Sequence, residues 1–122
     1  MTRLIRIRPM LGTGDLRATM AFYTEKLGFS PTATWGPDPA EPAWCNLDRD
    51  GIGLMFTAFH THEPMLSGSI YMDVEDVDQL AKELAGRGVT FVHGPETMPH
   101  GMRELALEDT NGYTLRFGTP AA

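Results

Sequence analysis

The sequence predicts an α+β fold of two successive βαβββ modules, and three observations in its 122 residues point to it. The chain repeats itself when shifted by half its own length. Apolar spacing switches between strand-like and helix-like periods in the same order in each half. Each half also places an acidic residue just before its helical stretch and a two-residue turn signal near its end.

The repeat is visible residue by residue. Asp15-Leu16 falls on Asp76-Val77, Asp50-Gly51 on Asn111-Gly112, Leu54 on Leu115 and Phe56 on Phe117, while Gly28 lands one residue from Gly88. In the first half, residues 4–13 are apolar with interruptions and read as a strand, with Pro9 marking an edge or a strand start. Asp15 is a helix N-cap. Leu16, Met20, Tyr23 and Leu27 then share one helical face, and Gly28 closes the helix. Residues 29–35 and 43–48 read as strands around a Gly/Pro-rich loop from Gly36 to Pro42. Asp50-Gly51 is a hairpin turn into a strand over 52–58.

The second half follows the same order. Residues 69–75 alternate as a strand, and Asp76 with Gln79 makes a capping-box pattern. Val77, Leu80, Ala81 and Leu84 line a helical face that Gly86 and Gly88 terminate. Residues 89–93 then read as a strand, 95–101 as a loop and 102–108 as a strand. Asn111-Gly112 is the hairpin turn before the last strand, 113–118. A lone unit of this kind exposes a whole sheet face, so pairing of units is expected. The whole chain, 1–122, is read as one domain, with modules of about 4–60 and 68–119.

Composition bounds the function. Hydrophobic residues are 42% and charged residues 21%, ordinary values for a globular protein. No apolar run approaches the ~20 residues of a membrane span. The opening MTRLIRIRPM lacks the apolar core of a signal peptide, so a cytoplasmic location and no membrane partner are expected. The net charge of −6 argues against a nucleic-acid partner, which needs a basic face. The single cysteine, Cys45, excludes an internal disulfide and a multi-cysteine zinc site. With no basic neighbour within two residues, it reads as a buried structural thiol.

The stretches PMLGTGDLRATMAFYTEKLGF (9–29) and GMRELALEDTNGYTLRFG (101–118) resemble the opening strand–helix and the closing hairpin of the vicinal oxygen chelate superfamily. That superfamily holds glyoxalase I, extradiol dioxygenases, fosfomycin resistance proteins and bleomycin resistance proteins. The resemblance covers nearly the whole chain and is nearest the bleomycin-resistance type. It implies a cupped mixed sheet, a homodimer and often a pocket at the subunit boundary. In members with chemistry it also implies a divalent metal, held from the first and fourth strands of each module. The matching positions here are Arg8, Met55, Ser69 and Arg116, and the same half-length step carries Arg8 to Ser69 and Met55 to Arg116. Arginine has no acceptor, methionine is a soft, weak ligand, and serine alone binds poorly. Without a metal to polarise substrate oxygens, lyase and dioxygenase chemistry loses its basis.

The sequence therefore points to a metal-independent protein, with no cofactor, that binds a small organic ligand and breaks no bond, an antibiotic-sequestering protein in particular. The rival reading is a glyoxalase-like metal-dependent lyase or dioxygenase with an atypical site from His60, His62 and nearby carboxylates such as Glu63. The plainer reading of that HTHE run is a solvated linker. A metal-free enzyme using Arg103 or Glu104 is a third possibility. The candidate ligand-binding residues are Arg8, Trp35, Trp44, Met55, Ser69, Tyr71, Asp73, Arg103, Glu104 and Arg116. Alternation sends Arg103 and Glu104 to opposite faces of their strand, so one of them faces the cupped interior. Glu104 there would pair with Arg116 or meet a cationic ligand. Ser69, Tyr71 and Asp73 share a face, and the 36–42 loop between Trp35 and Trp44 reads as a lid. His100, beside Gly101, is placed either at the pocket rim or in a surface hydrogen bond.

Overall fold

The computed structural model describes residues 1–59 and 68–121. Its elements run β1 (Met10–Gly12), α1 (Leu16–Leu27), β2 (Ser30–Trp35), β3 (Trp44–Arg49), β4 (Ile52–Thr57), β5 (Ile70–Asp73), α2 (Val77–Gly86), β6 (His93–Thr97), β7 (Met102–Glu108) and β8 (Thr114–Pro120). The fold is thus α+β, with one βαβββ order following another. The chain forms two compact units, Met1–Thr24 with Gly28–Glu63, and Glu25–Leu27 with Pro64–Ala122.

Unit 1 holds a four-stranded mixed sheet in the order β1-β4-β3-β2. β1 runs parallel to β4, with Met10 opposite Met55, and the other pairs are antiparallel. Asp15 caps α1 by accepting from the Ala18 N–H at 3.0 Å, and Gly28 ends the helix at φ +75°. The helix lays Tyr23 on Phe56, ring centres 5.0 Å apart, and edge-on to Phe29 at 5.6 Å. Cys45, Leu47, Leu54 and Phe56 fill this side of the sheet and are buried. Burial pushes the Cys45 thiol up to about 11. Asp50 and Gly51, both at positive φ, make the tight β3–β4 turn that a primed hairpin requires.

The sheet of unit 2 is ordered β5-β8-β7-β6, with β5 parallel to β8. Here Tyr71 stands opposite Arg116, the counterpart in this half of the unit 1 pair Met10–Met55. The Asp76 side chain accepts from the Gln79 N–H at 3.1 Å and starts α2. α2 packs Val77, Ala81 and Leu84 onto β6, β7 and β8. Leu105, Leu107, Leu115 and Phe117 are buried on that side.

Three expectations are corrected. The first strand is only Met10–Gly12, not 4–13. The Pro9 carbonyl still accepts from the Met55 N–H at 2.8 Å, but Pro9 has no N–H with which to carry the ladder further back. The sixth strand is His93–Thr97, not 89–93. Its pairing with β7 survives Gly94 and Pro95 because a bulge between His93 and Glu96 absorbs them. The second hairpin turn is no two-residue turn. It is a loop between Glu108 and Thr114, organised by Asp109, whose Oδ1 accepts from the N–H groups of Asn111 at 2.8 Å and Tyr113 at 2.9 Å.

Candidate functional site

Each sheet has a helix-covered face and an opposite face, and strand alternation sorts the polar residues onto the latter. In unit 2 that face carries Tyr71 and Asp73 from β5, Glu104 and Ala106 from β7, and Arg116 and Gly118 from β8. Glu104 is 5% exposed, so it must find partners within the fold. The Tyr71 hydroxyl donates to its Oε2 at 2.8 Å, and His100 Nε2 lies 3.2 Å from the same oxygen. The tautomer with its proton on Nε2 therefore donates there. Oε1 has no hydrogen-bond partner among the described residues.

The charges of this face act on one another. The Tyr71 hydrogen bond, opposed by burial and helped by His100 and Arg116, holds the Glu104 carboxyl below its usual range. Burial, then the bond to Glu104 and the nearby carboxylates, pushes the Tyr71 hydroxyl up to about 12. The carboxylate is thus ionised and the phenol neutral over the ordinary pH range. Gly118, opposite Glu104, makes room for this arrangement. A β-carbon on it would overlap the Tyr71 hydroxyl oxygen.

The corresponding face of unit 1 carries a polar chain. An Arg8 guanidinium N–H reaches Asn46 Oδ1 at 3.4 Å, and Asn46 Nδ2 donates to the Thr32 hydroxyl at 2.7 Å. Thr32 in turn donates to Asp48 Oδ2 at 3.0 Å. Asn46 is 4% exposed and well satisfied by these bonds. Gly53 lets the chain lie close, since a β-carbon there would sit 2.7 Å from Asp48 Oδ1 and 3.3 Å from Arg8 Cδ. Met55 faces the same way, opposite both Met10 and Asn46. Trp35 and Trp44 face each other across β2 and β3. Trp35 is 58% exposed and leans on Phe59, ring centres 6.1 Å apart.

Most sequence-selected residues therefore fall on these two faces: Arg8, Trp35, Trp44 and Met55 on one, Tyr71, Asp73, Glu104 and Arg116 on the other. Ser69 lies one residue before β5, half-buried, in phase with Tyr71. Arg103 is the exception. It lies on the helix side of β7, where its guanidinium grips Asp78 of α2 at 2.8 and 3.0 Å. The expected Glu104–Arg116 ion pair is not direct, because Glu104 stands opposite Gly118 and Arg116 opposite Ala106. Among the described residues no carboxylate lies within salt-bridge distance of Arg116. The 36–42 loop is internally tied, the Ala43 N–H bonding the Trp35 carbonyl at 2.8 Å and the Glu41 N–H that of Asp38 at 2.9 Å. Asn46, Thr32, Asp48 and Gly118 were missed, since their roles follow from register rather than residue type.

The four positions matched to metal ligands do not fit a divalent cation. Arg8 and Arg116 bring positive charge and no acceptor, and Met55 brings a thioether. Among the described residues no three His, Cys, Asp or Glu side chains come together as a metal site. His60, His62 and Glu63 lie outside the described residues.

The repeated parallel register, two capped helices and two four-stranded sheets define a class of paired βαβββ proteins. The chain belongs to the Glyoxalase/Bleomycin resistance protein/Dioxygenase superfamily, whose family model matches residues 6–117. No curated protein matches the chain significantly. Among solved structures it is similar to TnmS3, an antibiotic binding protein from Streptomyces sp. CB03234, with TM-score 0.78, 19% identity, and coverage of 99% of this chain and 100% of that one. TioX from Micromonospora sp. ML1 gives TM-score 0.78 at 17% identity, covering 95% and 98%. A superfamily member from Sphaerobacter thermophilus gives TM-score 0.74 at 21% identity, covering 96% and 98%. At these identities the likeness is one of fold.

Proposed function

We infer that this protein binds a small aromatic organic compound, an antibiotic or a molecule like one, and sequesters it without a metal and without breaking a bond. One observation carries the reading. The positions where the superfamily's chemistry places metal ligands hold Arg8, Met55, Ser69 and Arg116, a set that cannot hold a divalent cation but can contact an organic molecule. The exposed Trp35 and Tyr71 offer ring surfaces, and Met55 an adaptable apolar one. The antibiotic-binding character of TnmS3, which shares the fold, supports the same reading.

The working form is proposed to be a cytoplasmic homodimer. A second copy would cover Leu4, Ile5 and Ile7, which stand exposed on the single chain.

The test uses the 122-residue chain purified without chelator. A thermal-shift screen of aromatic antibiotics is followed by calorimetry on the hits, with and without EDTA, and by mass spectrometry of the recovered compound. Saturable binding indifferent to EDTA, with the compound recovered unchanged, is expected. One tightly held metal per chain, or a product of altered mass, overturns the reading. Light scattering on the same sample tests the dimer against the 13.5 kDa chain mass.

A further inference from the structure

Building on the proposed small-molecule binding, we propose that the open face of unit 2 is a cation-recognising subsite, in which Glu104 Oε1 receives an N–H of a protonated amine or amidine on the ligand and Tyr71 lies beside the ligand's ring. The geometry singles out this oxygen. Glu104 is buried, its Oε2 is occupied by Tyr71 and His100, and its Oε1 has no partner among the described residues. A buried ionised carboxylate with one oxygen unused is an acceptor in search of a charged donor.

The charge balance points the same way. Tyr71 feels two carboxylates, Glu104 and Asp73, against one guanidinium, Arg116, and by register Glu96 and Glu108 lie on the same face. A ligand cation supplies the missing charge. Arg116 opposes it, yet stands opposite Ala106, one pleat repeat from the Glu104–Gly118 pair. His100 has its side chain 57% exposed, free to yield its place at Oε2 to a ligand donor. Beside the carboxylate, Tyr71 presents a partly exposed ring suited to stacking or cation–π contact.

Three anthracenes with one ring system test this on the full chain: 9-(aminomethyl)anthracene, 9-anthracenemethanol and anthracene-9-carboxylate, followed by fluorescence titration at pH 7. The amine is expected to bind roughly ten-fold or more tighter than the alcohol, as a charge-assisted hydrogen bond would give. Glu104→Gln, which keeps the side-chain shape, is expected to abolish that preference, with a cooperative thermal unfolding transition as the control for folding. Arg116→Gln is expected to strengthen amine binding. Equal binding of amine and alcohol, or preference for the carboxylate, overturns the subsite and leaves the proposed function standing. Binding of none of the three up to millimolar concentration overturns both.

Discussion

The Tyr71 hydroxyl occupies the space that a side chain at residue 118 would need. The two residues sit on neighbouring parallel strands, and a β-carbon on Gly118 would overlap the Tyr71 oxygen and stand 2.7 Å from Cζ. The hydrogen bond to Glu104 therefore depends on a glycine that itself bonds to neither side chain.

Gly118→Ala is expected to swing the Tyr71 ring away and break its bond to Glu104. The obstructing atoms are the tip of a partly exposed side chain, so the fold should lose only about 1 kcal/mol. Chemical denaturation measures that loss. Tyrosinate absorbance then reads the second effect, with the Tyr71 midpoint falling from about 12 toward the ordinary 10.

Gly94→Ala makes the instructive contrast. Gly94 has φ +75°, and a β-carbon there would overlap the Glu104 carbonyl oxygen and lie 3.1 Å from Leu105 Cα. Backbone cannot rotate aside as a side-chain tip can. The β6–β7 pairing must open, and a loss of more than about 2 kcal/mol is expected by urea unfolding.

The acid limb of stability should depend on Glu104. Its carboxyl titrates lower in the folded chain than in an unfolded one. Its contribution is thus complete above the usual carboxylate range and is lost as pH falls through the depressed folded value. Replacing it with glutamine should flatten the fall in stability on the acid side, measured by melting temperature against pH. An unchanged acid limb would mean the carboxylate is not held as described.

On the alkaline side the sign reverses. Tyr71 titrates near 12 folded against 10 as its ordinary value, so its contribution is complete below pH 10 and lost as pH rises toward 12. Tyr71→Phe should remove this component from the alkaline limb of the same melting curves. In Glu104→Gln the Tyr71 midpoint should fall only part of the way, because burial is the larger cause of its elevation.

Cys45 should resist thiol reagents in the native protein. It is fully buried against the helix side of β3, and its thiol titrates near 11. Ellman's reagent at pH 8 is expected to report almost no free thiol until denaturant is added. Rapid native labelling would show that the unit 1 core opens.

The parts of this fold legible in the sequence were those fixed by local chemistry. Asp15 and Asp76 cap helices through a backbone N–H three residues on, and Asp50-Gly51 specifies its turn by positive φ. β6 was hidden because Gly94 and Pro95 look like loop residues, and only pairing with β7 makes them part of a strand. In the candidate site, alternation put Glu104 and Arg103 on opposite faces. Arg103 is in phase with Leu105 and Leu107 and so lies on the helix side, where it meets Asp78, a residue 25 positions away. Register decided the rest. Neither the partnership of Tyr71 with Gly118 nor that of Asn46 with Thr32 follows from spacing along one strand.

The repeated register has a consequence for how the two halves differ. Advanced by half the chain, the helix-side pair Leu54 and Phe56 becomes Leu115 and Phe117, much the same chemistry. On the other face the same step turns Arg8 into Ser69, Met10 into Tyr71 and Met55 into Arg116. Packing against a helix tolerates few exchanges, whereas a face turned away from it tolerates many. The chain thus keeps its packing in one set of alternate positions and varies its polar side chains in the other. Drift in the second set can change what the molecule recognises without rewriting what makes it fold.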